Sequence, residues 1–84
     1  MDQIVPDRRR SDRRAVEAPG VIHLDNGRRR ECRVVNLSET GAKLIVEAGL
    51  MLPGRFALAL GIRRARPVRV AWRSGAELGV AFEA

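Results

Sequence analysis

From Ala15 onward the sequence takes on a period of two, and up to Phe82 the apolar residues fall in six short runs divided by turn-forming residues. Successive side chains of an extended strand point to opposite faces, so this pattern writes strands with one face turned inward. Pro67 to Arg73 alternates most cleanly: Val68, Val70 and Trp72 are expected inward, and Arg69, Ala71 and Arg73 outward. Val21 to Leu24 reads as the first strand and Arg30 to Leu37 as the second, with Cys32 and Val34 inward. Asp25-Asn26-Gly27 between them is a hairpin signal, since Asn and Gly tolerate positive φ. Ala42 to Val46, Arg55 to Leu60 and Leu78 to Phe82 complete the set. No window sustains helical periodicity, and Glu47 to Leu52 has room for one helical turn at most. Short strands at roughly ten-residue spacing predict an all-β fold, a small six-stranded antiparallel β-barrel.

Eighty-four residues make one domain at most. A chain this short buries only about 60–65% of its unfolded surface, so the core must be compact. The apolar share of 45% is patterned, which excludes a disordered chain. Residues 1–14 are polar and charged and read as an extended, flexible arm, leaving 15–84 as the barrel domain. A single cysteine, Cys32, excludes an internal disulfide and points to a reducing compartment. The opening residues lack the basic and apolar runs of a signal peptide. No apolar stretch approaches the roughly 20 residues that cross a bilayer. A soluble, cytoplasmic protein without a membrane span is expected.

The net charge is +6, and fifteen of the sixteen basic residues are arginine; the other is Lys43. Five of the arginines, Arg8, Arg9, Arg10, Arg13 and Arg14, fall within seven residues. Arg9 and Arg13 share the spacing of Arg10 and Arg14, so two registers are open. A guanidinium donates in a planar fork that fits phosphate and guanine edges in pairs. Alone, such a cluster suits a solvated tail that touches RNA, DNA or anionic lipid nonspecifically. Further on comes Asn36-Leu37-Ser38-Glu39-Thr40-Gly41. Alone, this is a tight turn in which Asn36 and Ser38 bond local backbone and Gly41 supplies positive φ. A binding role requires the turn to stand at the barrel mouth with Asn36 and Ser38 facing a ligand. Together the two segments suggest a site for a small, flat, doubly anionic ligand.

Catalytic and metal chemistries lack parts. His23 is the only histidine and lies mid-strand, so neither a zinc set nor a nucleophilic triad can be assembled. No glycine-rich phosphate loop is present. Phe56, Trp72 and Phe82 all fall on inward positions and read as core. With no tyrosine, the chain lacks the exposed aromatics that sequence-tolerant RNA or single-strand binders use.

The arrangement Arg-x-x-x-Arg, then Asn-x-Ser-x-x-Gly, then Val70-Ala71-Trp72-Arg73 and Leu78-Gly79-Val80 resembles the PilZ domain family from about Arg8 to the C-terminus. The resemblance implies a noncatalytic receptor that needs no cofactor and binds the bacterial second messenger cyclic di-GMP. Arg9 and Arg13, or Arg10 and Arg14, would match the family's paired arginines. Asn36, Ser38 and Gly41 would match its second motif. Arg8 precedes the first motif, a position that leans toward a stacked pair of ligands. The chain stops just past the last strand, so the C-terminal helix of many members is expected to be missing or truncated; this leaves monomer or weak dimer open. The expected mechanism is ordering of the arm over the ligand, which alters the surface offered to an unknown downstream protein. Two rivals stay open: a PilZ-like adaptor that binds no nucleotide, and a nonspecific nucleic-acid or membrane-surface binder.

Overall fold

A computed structural model describes residues 14–83, and side chains from Glu17 onward. Arg8, Arg9, Arg10 and Arg13, the greater part of the expected arm, lie outside the described residues. The rest is six antiparallel strands and no helix: β1 (Arg14–His23), β2 (Arg29–Leu37), β3 (Gly41–Ile45), β4 (Arg55–Leu60), β5 (Arg66–Ser74) and β6 (Glu77–Phe82). They close into a barrel in the order β1-β2-β3-β6-β5-β4, with β4 pairing back onto β1. The all-β six-stranded barrel expected from the alternation is therefore the observed fold.

The core is the inner face of that barrel. Ile22, Val34, Leu44, Leu58, Val68 and Leu78 are fully buried and come from all six strands in turn. Each stands at an alternating position whose neighbours face out, so one period-two pattern per strand fills one interior. Turns follow local chemistry. Gly27 adopts φ 85° after Asn26, whose side-chain oxygen accepts the Arg28 amide at 2.9 Å. Gly75 does the same work between β5 and β6 with φ 62°.

Two expectations need correction. The first strand begins at Arg14, not Val21. Arg14 to Gly20 carries no clean alternation, yet its backbone pairs with β2 through an irregularity between Ala15 and Ala18. Trp72 was expected inward and is 46% exposed. The cause is a β-bulge. Val70 pairs with Val80, but Trp72 pairs with Gly79, so Ala71 is an extra residue that shifts everything after it to the other face. A matching bulge in β2 pairs Val34 with Leu44 but Asn36 with Lys43, with Val35 as the extra residue.

Candidate functional site

The turn between β2 and β3 is built around one hydroxyl. Ser38 Oγ accepts the amides of Thr40 and Gly41, each at 3.2 Å, and lies 3.2 Å from Thr40 Oγ1. The Ser38 amide donates to the Gly41 carbonyl at 2.9 Å. The turn is stapled to the barrel where the Phe82 amide donates to the Thr40 carbonyl at 2.8 Å. Gly41 does not supply the positive φ expected of it; the positive-φ glycines among the described residues are Gly27, Gly49, Gly61 and Gly75. Gly41 is needed for closeness instead. A Cβ there would overlap the Val80 carbonyl oxygen on β6.

The two bulges aim a set of side chains outward along one row. Asn36 on β2 pairs with Lys43 on β3, Lys43 with Gly79 on β6, and Gly79 with Trp72 on β5. Paired residues share a face. The row floors a groove of about 250 Å³, closed at one end by Ser38, Thr40 and Gly41. It lies on the outer wall of the barrel rather than in its mouth, which corrects the placement expected from the turn alone. Gly79 is buried because the Trp72 indole covers it; a Cβ at Gly79 would overlap that ring. The groove thus offers an amide side chain, two hydroxyls, an ammonium and an aromatic. Such a set can hydrogen-bond a polar edge, attract an anion and stack a flat ring.

Charge around the groove is mixed. Lys43 Nζ lies 3.2 Å from Glu77 Oε1. Arg69, exposed, pairs with Ala81 one row along from the floor on the same two strands. A second concavity of about 430 Å³ lies over the β1 irregularity beside Pro19 and Cys32. Its charged border is partly self-satisfied by Glu17 and Arg33 at 3.5 Å, and it shares no residue with the turn. Among the described residues no group of His, Cys, Asp or Glu could hold a metal ion. No helix among them is long and apolar enough to cross a membrane.

Of the expected site residues, Asn36, Ser38 and Gly41 stand together in the groove. Arg14 opens β1, its backbone paired with Leu37 next to Ser38. Arg8, Arg9, Arg10 and Arg13 belong to the segment that joins β1 at this point and lie outside the described residues. Lys43, Thr40 and Trp72 were missed. Glycine within the last strand was a hint of a close approach there, although the bulge that sets Trp72 against Gly79 has no signal in the sequence.

A family model for the PilZ domain matches residues 7–84. No curated protein matches the chain.

Proposed function

The chain belongs to the PilZ domain family, and on that premise we propose that it is a noncatalytic cytoplasmic receptor that binds cyclic di-GMP and passes the signal to a partner protein. PilZ domains are, as a family, receptor domains for cyclic di-GMP and are generally noncatalytic. The observation that carries the reading for this chain is the pairing of Arg14 with Leu37. Neighbouring strands lie only about 4.8 Å apart, so Arg14, where β1 begins, stands beside the strand that leads into the Ser38 turn. Pockets that bury most of a small ligand hold roughly 300–1,000 Å³, more than the groove does by itself. A cyclic dinucleotide held there needs a second wall, and the arginine segment supplies it. Arg9 and Arg13 clamp phosphate and guanine from one side, while Asn36 and Ser38 hold the other. Closing that segment over the ligand changes the surface a partner meets.

Isothermal titration with cyclic di-GMP tests this directly. Saturable, micromolar binding is expected, weakened about tenfold or more by Arg9→Ala, Arg13→Ala or Ser38→Ala, since a charge-assisted hydrogen bond contributes about 1.5–3 kcal/mol. Equal binding by all variants would remove the assigned site. Absence of heat, with no change in Trp72 fluorescence, would remove the receptor function.

A further inference from the structure

Lys43 is the only lysine of the chain and, among the described residues, the only cation that lines the groove itself. Its position in the row is between Asn36 and Gly79. Gly79 has no side chain, so nothing on β6 stands between the ammonium and the groove floor. On the side away from the Ser38 turn, Glu77 holds it at 3.2 Å. Glu77 pairs with Ile45 and Ser74, one row further along the barrel, and is not itself part of the groove. The pair is partly exposed, with side-chain exposures of 33% for Lys43 and 47% for Glu77. Open ion pairs contribute little to stability, so this one breaks at small cost. A lysine side chain is a long flexible stem that can carry its charge from one anion to another.

Resting on the cyclic di-GMP reading, we infer that Lys43 contacts a phosphate of the bound nucleotide, and that Glu77 competes with that phosphate for the ammonium and so sets the affinity. In the free protein the carboxylate holds the ammonium at the edge of the groove. When the dianion arrives, the ammonium turns to the phosphodiester and the carboxylate is left to water. Glu77 is half-exposed, so water can take over its carboxylate when the ammonium leaves. Glu77 is thus a tuning residue that acts through Lys43, without touching ligand.

Four proteins decide the matter by titration with cyclic di-GMP: wild type, Lys43→Gln, Glu77→Gln and the double variant. Lys43→Gln is expected to weaken binding about tenfold, and Lys43→Arg to restore most of it. Glu77→Gln is expected to tighten binding by about threefold, because the competitor is gone. The double variant should match Lys43→Gln, with no gain from the second change. Unaltered binding by Lys43→Gln overturns the inference. So does a Glu77→Gln gain that persists without Lys43, since that would be a general effect of lost negative charge. If wild type does not bind, the receptor reading falls and this inference with it. If wild type binds and Ser38→Ala does not, while the Lys43 and Glu77 variants behave as wild type, only this inference falls. Matching thermal melts of all variants establish that the differences arise at the site.

Discussion

Cys32 faces inward on β2 and is 7% exposed. Burial pushes its thiol up from 9.0 to about 11, because a thiolate there would lose its hydration. The folded state therefore holds the proton more tightly than the unfolded chain does. Below pH 9 this contribution to stability is fully present, and it is lost as the pH rises from 9.0 to about 11. At pH 8 the folded protein should react with a thiol reagent far more slowly than the urea-unfolded chain, as followed by absorbance; equal rates would place the thiol at the surface. The inward position of Cys32 was readable from alternation alone. The role of Gly41 was not. A sequence displays the glycine but not the Val80 carbonyl that crowds it, and that crowding comes from a strand distant along the chain. Ser38 was half legible: its bonding to local backbone was expected, and its oxygen accepts two amides of its own turn.

Strands two to six were legible because each pairs an apolar inward set with polar or small outward residues. The early part of β1 was not, because Arg14 to Gly20 is held by backbone pairing to β2 rather than by apolar contrast. The bulges in β2 and β5 were equally hidden. Val68, Val70 and Trp72 continue the alternation in letters, while the extra Ala71 breaks it in space. That break is what delivers Trp72 to the outer wall and joins it to Asn36 and Lys43. Gly79 supports the arrangement from beneath. Gly79→Ala should push the indole off the sheet, lower stability by about 1–3 kcal/mol and shift Trp72 emission to the red. A chemical melt with fluorescence detection checks both; an unchanged spectrum would mean the ring does not rest on β6.

The core residues run from Ile22 to Val80, with Phe82 packed against them. The six strands close the barrel and supply most of that set. Removing residues 1–13 should accordingly leave the thermal melting point close to that of the whole chain while abolishing the response to cyclic di-GMP. Circular dichroism and titration of the shortened protein check the two halves of this expectation separately. A large drop in melting point would show that the arginine segment belongs to the fold, against a division at residue 14. At this scale the number of strands, their antiparallel sense and the position of the turn after β2 could be read from spacing. Closure by β4 onto β1 could not, because it joins Gly20–His23 to Ala57–Leu60 without any local signal. That closure limits how the protein can be recognised. Every strand is hydrogen-bonded on both sides along at least part of its length, so no full row of amides and carbonyls is left to accept a guest strand. A partner has to recognise side chains and shape, and the fold is correspondingly protected against stacking edge to edge into fibres.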